Sequence, residues 1–195
     1  EYLGESIVIE NKSGASGTIA AEYVSKSPPN GYLVLMAQST SMVIAPHLYK
    51  SLNYDTIKDL LPVTQVAQMP FVLAVNAKLP VNNIKEFMTY AKANPGKLNY
   101  ASQGNGSVSH IGTEIFKQNT GIDIVHVPYK GSGPAVQDVL AGQVQLFITT
   151  PPSVMQHVQS GKLKGLAVTG KNRHPGMPNV PTTAEAGLPS FQLES

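Results

Sequence analysis

The sequence has no cysteine. Disulfide staples and zinc sites built on cysteine are therefore excluded. The absence fits an oxidising compartment, where an unpaired thiol is a hazard, and fits the cytoplasm equally. Arginine is nearly missing, since Arg173 is the only one and the remaining basic residues are lysines scattered singly. The net charge is +2, yet no basic cluster of the kind that neutralises nucleic-acid phosphates occurs, so no nucleic-acid partner is expected. Charged residues make up only 13% of the chain, about half the usual quarter. No apolar run approaches the roughly 18 residues that a membrane span needs, so no membrane insertion is expected. The chain starts at Glu1 and carries no signal peptide, which suggests processing or a fragment. There is no internal repeat and no low-complexity tract.

Hydrophobic residues make up 42% of 195, enough for a sizeable core in one domain or two small lobes. Strand-like and helix-like segments alternate along the chain. Strands are expected at Ser6–Glu10, Leu33–Ala37, Phe71–Val75, Leu98–Ala101, Ile124–Val127, Val144–Ile148 and Leu166–Val168, with Pro62–Gln68 extended. Thr18–Lys26 reads as a helix with Ile19, Tyr23 and Val24 on one face, and a helical turn is expected near Ala45–Tyr49. Asn83 with Glu86 forms a capping box before Ile84, Phe87, Met88 and Ala91, which fall at helical spacing. Further helices are expected at Ser109–Gln118, Pro134–Ala141 and Pro151–Ser160. A second capping box, Thr182 with Glu185, predicts a short helix stopped by Gly187. This alternation implies an α/β fold with largely parallel strands.

In such folds ligands sit beyond the carboxyl ends of strands, where helices begin. Four junctions have suitable chemistry: Gln38–Ser41, Ser102–Ser107, Pro128–Gly133 and Thr149–Thr150. The second stands out. Gly104 and Gly106 permit positive φ and close approach of backbone to a ligand. Consecutive N–H groups there can hold an anion, with hydroxyls from Ser107 and Ser109 and the helix dipole in support. The same residues also make an ordinary Gly-rich turn with a serine cap. With no arginine near any junction, an anion would be held by N–H groups, hydroxyls, water and Lys130 rather than by a guanidinium fork. Tyr129 reads as a cleft-lining aromatic or as a half-buried core residue.

An enzymatic reading is poorly marked. Ser107 and His110 are three residues apart, but no Gly-x-Ser-x-Gly elbow is present. The five histidines, His47, His110, His126, His157 and His174, lie far apart in sequence without metal spacing. No catalytic residue, metal or cofactor is expected. Glu10, Glu22, Asp59, Glu86 and Asp138 read mostly as solvated positions.

The run from Leu98 through Ser102, Gly104-Asn105-Gly106-Ser107 and His110, followed by Val125-His126-Val127-Pro128-Tyr129-Lys130-Gly131, resembles the Bug, or TctC-like, family. These are extracytoplasmic solute receptors of tripartite tricarboxylate transporters. Val8-Ile9-Glu10-Asn11, Pro29-Asn30-Gly31-Tyr32, Leu48-Tyr49-Lys50, Gly161-Lys162-Leu163 and Pro181-Thr182 to Gly187 resemble further blocks, in order, over essentially the whole chain. The resemblance implies a type II periplasmic-binding fold whose two lobes, with mainly parallel sheets, close on a small organic carboxylate. It places residues 1–74 in the first lobe, 75–168 in the second, and 169–195 in a crossover returning to the first. Ser39 and Thr40 would line the cleft from the first lobe. Gly104, Asn105, Gly106, Ser107, His110, Tyr129 and Thr149 would line it from the second. It also implies a periplasmic location and membrane transporter subunits as partners. Family members often carry Asp at the position of Thr149, which argues against an amino-acid ligand. The family's opening strand and Pro-Gly-Gly loop precede Glu1, and its closing segment follows Ser195, so a truncated first lobe and weak binding by this chain alone are expected. A ligand-sensing domain and a hydrolase on a similar α/β fold stand as alternatives.

Overall fold

The structure is a computed structural model that describes residues 4–195. Its centre is one five-stranded sheet built from β1 (Val72–Asn76), β2 (Asn99–Ser102), β3 (Val125–Pro128), β4 (Leu146–Thr149) and β5 (Leu163–Val168). The spatial order is β3-β2-β4-β1-β5. β2 pairs parallel with β3 and with β4, whereas β1 runs antiparallel between β4 and β5. Four strands therefore share one direction, and β1 is the exception.

The central strands are nearly continuous apolar runs, because the sheet is covered on both faces. β1 and β4 are buried at every position. On one face Leu73, Val75, Tyr100, Leu146 and Ile148 pack against α3 (Ile84–Ala93) and α4 (Val108–Thr120), through Ile84, Phe87, Ala91 and Phe116. On the other, Val72, Ala74, Ala101 and Phe147 pack against α5 (Ser132–Ala141) and α6 (Pro151–Gln159), through Ala135, Val136, Val139 and Val154. The expected Asn83 cap forms, with Glu86 N–H donating to Asn83 Oδ1 at 2.9 Å, but the Glu86 carboxylate reaches one residue further back than a capping box, accepting from the Asn82 N–H at 2.7 Å. α4 starts on Ser107 as its cap and stops at Gly121, whose φ of 68° ends the helix.

The first part of the chain departs from the expected pattern. Ser6–Glu10 and Leu33–Ala37 are not strands: both are unpaired, and Val8 and Val34 are 88% and 72% exposed. A strand exists only through its ladder partner, and no described strand lies beside either segment. The segment 62–68 is likewise exposed and forms no strand. α1 (Thr18–Ser25) forms, but it buries Thr18 and Ala21 and leaves Ile19 and Tyr23 about half exposed. A π-helical turn at Thr40–Ile44 then leads into the four-residue α2 (Ala45–Leu48).

The last stretch folds back on the sheet. Thr169 Oγ1 accepts from the Phe71 N–H at 2.8 Å, and Phe191 is buried in the core beside Phe116. The Thr182–Glu185 box closes reciprocally, at 2.7 and 3.1 Å. The chain there makes turns rather than the expected helix. Gly187 comes only two residues after Glu185, which leaves no room for a second helical turn.

Candidate functional site

β2, β3 and β4 all end at one edge of the sheet, and α4, α5 and α6 all begin there. Three helix N-termini, each with unsatisfied N–H groups and a partial positive charge, face the same margin. β1 runs the other way, so its first residue, Val72, pairs with Thr149 at this edge. The arrangement gathers three of the four sequence-selected junctions, after β2, β3 and β4.

The loop after β2 is closely wired to itself. Gly104 and Gly106 take φ of 125° and 76°, which a side chain would strain. Ser107 Oγ donates to Gly104 O at 2.7 Å and accepts from the His110 N–H at 3.2 Å. Gln103 N–H donates to Ser109 Oγ at 3.0 Å, and Gly104 N–H to Ser102 Oγ at 3.2 Å. Gly106 N–H donates to His110 Nδ1 at 3.1 Å. Most of the N–H groups that could hold an anion are thus already bonded. The Asn105 and Ser109 amides have no acceptor among the described residues. Asn105 is itself exposed, at the tip of the loop.

The opposite side comes from the first seventy residues. Thr40 Oγ1 accepts from the Val108 N–H at 3.3 Å, so it satisfies the first amide of α4. Ser16 Oγ donates to Asn105 O at 2.9 Å. Ser16 and its neighbour Ala15 hold φ of 54° and 43°, a costly conformation for residues with a Cβ. Leu48 lies over Gly106, where an added Cβ would run into its Cδ2. Ser39, also selected from the sequence, precedes Thr40 and is half-buried.

Tyr129 follows β3 and Thr149 ends β4, at the same margin. Tyr129 N–H donates to Ser102 O at 3.0 Å, and its hydroxyl donates to Asp138 Oδ2 at 2.6 Å. Burial and the Asp138 carboxylate push the Tyr129 phenol up to about 12. Asp138, read from sequence as solvated, is therefore a structural acceptor. The Thr149 side chain is fully buried, and its hydroxyl has no hydrogen-bond partner among the described residues. A buried hydroxyl without a partner is rare enough to mark a place where something else supplies the bond.

The fold brings together two histidines that sequence reasoning treated as unrelated. The rings of His110 and His126 stack at 4.0 Å between centroids, and Tyr100 covers the other side of His126 at 4.9 Å. His126 Nε2 and Ser102 Oγ are 2.6 Å apart. Ser102 is fully buried, and the His110 imidazole is bonded to Gly106 rather than to Ser107. His126 falls opposite Tyr100 in the β2–β3 register. That register was not readable from single-chain spacing. Arg173 bonds Glu185 and Pro178 O instead of the loop. Among the described residues no group of three or more His, Asp or Glu could hold a metal. No described helix is long and apolar enough to cross a membrane.

Residues 1–195 match a family model described as "Tripartite tricarboxylate transporter family receptor". Protein BugT of Bordetella pertussis is 39% identical over 192 residues, covering 98% of this chain and 59% of that protein. A protein of Rhodopseudomonas palustris, MatC, solved with bound malate, superposes with a TM-score of 0.90 at 34% identity, over 98% of this chain and 65% of the other. An R. palustris protein solved with adipate superposes with a TM-score of 0.95 at 38% identity, over 99% and 64%. The chain thus spans about three-fifths of the length of the relatives it matches.

Proposed function

The chain belongs to the tripartite tricarboxylate transporter receptor family, and on that premise we propose that it forms part of a periplasmic receptor. The receptor captures a small organic carboxylate between two lobes and delivers it to membrane transporter subunits. The residues before β1 belong to one lobe, and the five-stranded sheet, with the 169–195 segment packed on its core, forms the other. The ligand lies at the sheet edge where α4, α5 and α6 begin. It is held by Ser39 and Thr40 on one side and by Gly104–Ser107, His110, Tyr129 and Thr149 on the other.

The observation that carries this reading is that Thr40 meets the first amide of α4, that of Val108, at 3.3 Å, and Ser16 meets Asn105 O in the preceding loop at 2.9 Å. Hydroxyls from one part of the chain and helix-start amides from another converge on a margin with no guanidinium. Such a surface suits a carboxylate bound through N–H groups, hydroxyls and water. Relatives solved with malate and adipate direct the choice toward dicarboxylates.

A thermal-shift panel of mono-, di- and tricarboxylates on the full-length protein, malate and adipate included, tests the proposal. A bound acid at about 100-fold its Kd stabilises the fold by about 2.7 kcal/mol, read as a rise in Tm. A flat response over the whole panel would remove the carboxylate assignment.

A further inference from the structure

His110 sits in the first turn of α4 and His126 in β3, and neither ring is free to act alone. Gly106 N–H donates to His110 Nδ1 at 3.1 Å. That nitrogen must therefore be a lone-pair acceptor, which puts the neutral ring's proton on Nε2. A second proton would have to go on Nδ1, turning it into a donor aimed at another donor. The Gly106 amide would lose its partner and the loop one of its internal ties. His126 lies against the opposite ring face at 4.0 Å and 14° between planes. It is fixed in turn by Tyr100 at 4.9 Å and by Ser102 at 2.6 Å.

We propose that His110 and His126 form a neutral imidazole pair that positions the Gly104–Ser107 loop, and that protonation of His110 in acid releases the loop and with it the ligand. This rests on the reading of that loop as a ligand contact.

The other titratable groups facing the pair are few. Glu114 and Lys117 lie on α4 one and two turns beyond His110. Tyr100 on β2 donates its hydroxyl to Glu114 at 2.5 Å, and Lys117 pairs with the same carboxylate oxygen at 2.8 Å. Burial lowers the His110 imidazole below its ordinary value; Glu114 opposes this and Lys117 adds to it. His126 is lowered further, to about 4, by burial and then by His110 itself. Both rings are held below their ordinary value, and a charge on one holds off a charge on the other. His126 is thus a positioning residue, holding His110 in the plane that meets Gly106.

Nuclear magnetic resonance on ligand-free, nitrogen-labelled protein tests this from about pH 8 to about 4, the range in which imidazoles titrate. The His110 ring is expected to titrate below the ordinary histidine value. The Gly106 amide should move with the same midpoint, while the amide of Gly121, at the far end of α4, stays flat. In His126→Phe the stack persists, so Gly106 keeps a single transition tracking His110. In His110→Phe the Gly106 amide loses its pH dependence. A Gly106 amide that stays flat while His110 titrates, or a His110 that titrates at its ordinary value or above, overturns the inference. These readings need no ligand, so they stand apart from any failure of the carboxylate panel. Where a panel acid binds, its affinity should fall about tenfold per pH unit below the His110 midpoint. Binding that ignores pH across this range sinks the inference and leaves the receptor reading intact.

Discussion

The Thr40 hydroxyl accepts the first free amide of α4, that of Val108, at 3.3 Å, although the two residues are 68 positions apart. An N-terminal helix amide is normally satisfied from within its own loop. Here the cap is divided between Ser107, which serves the His110 amide, and Thr40, which serves Val108. One part of the chain thus completes a helix start in another. Thr40→Val keeps the shape and removes the acceptor. Thr40 is almost fully buried, so we expect a loss of about 1 kcal/mol in urea unfolding and weaker carboxylate binding. Unchanged stability would mean that solvent replaces Thr40 at no cost.

Gly106 is constrained twice, by its φ of 76° and by Leu48 packed over it. Gly106→Val should therefore destabilise by more than about 1 kcal/mol and lower carboxylate affinity by blocking backbone approach. Leu48→Ala in the same chain should return part of the stability, since it removes the clash but not the backbone strain. Full recovery would place the whole effect in Leu48.

Thr149 gives a prediction of the opposite sign. Its buried hydroxyl is unpartnered among the described residues, so Thr149→Val is expected to leave stability unchanged or raise it by up to about 1 kcal/mol. If the hydroxyl faces the ligand, the same variant binds a carboxylate about tenfold more weakly, the loss of one buried hydrogen bond. A fall in stability without ligand would show that the hydroxyl has a protein partner.

Stability should also depend on pH in a window set by His126. Its native value is lowered from 6.5 to about 4. Above about 6.5 the residue is neutral folded and unfolded. As the pH falls through 6.5 the unfolded chain takes up a proton that the native state refuses, so stability drops until about 4. Glu114 and Glu185 are held below their ordinary value of 4.5, so their loss begins only below that point. Urea midpoints measured between pH 7.5 and 4.5 should decline, and His126→Phe should make the decline shallower, leaving the share of His110, which burial also lowers. A profile that is level in the native protein contradicts the buried neutral pair.

The α3 cap offers a simpler check. Asn83→Ala removes the acceptor of the Glu86 amide and should cost about 1 kcal/mol, seen as a lower urea midpoint with no change in ligand binding.

Much of the second half of the chain was written locally. Asn83 as a cap, Ser107 as a cap and the apolar runs of β1 and β4 are short-range signals, and each appears in the structure close to where the sequence placed it. Caps and periodicity depend on neighbours within about four residues, which a single sequence displays. Ser6–Glu10 and Leu33–Ala37 carry the same apolar pattern, yet they stand unpaired, since a strand needs a partner that its own residues do not specify. The Thr182–Glu185 box closed without a helix for a related reason, as a cap starts a helix but cannot prolong one.

The loop from Ala101 to His110 was legible as glycines and serines before a helix, with the chemistry of an anion contact. Only the tertiary structure decided that most of its amides bond internally and that Thr40 and Ser16 reach it from the first part of the chain. The sequence determined which groups exist: one arginine, no cysteine, five histidines and a Gly-Ser loop at a strand end. Which of those groups meet was decided by strand order and register. β3 beside β2 sets His126 opposite Tyr100, and α4 packed on that face brings His110 to within 4.0 Å. Contacts of this kind depend on long-range packing, which no local spacing encodes.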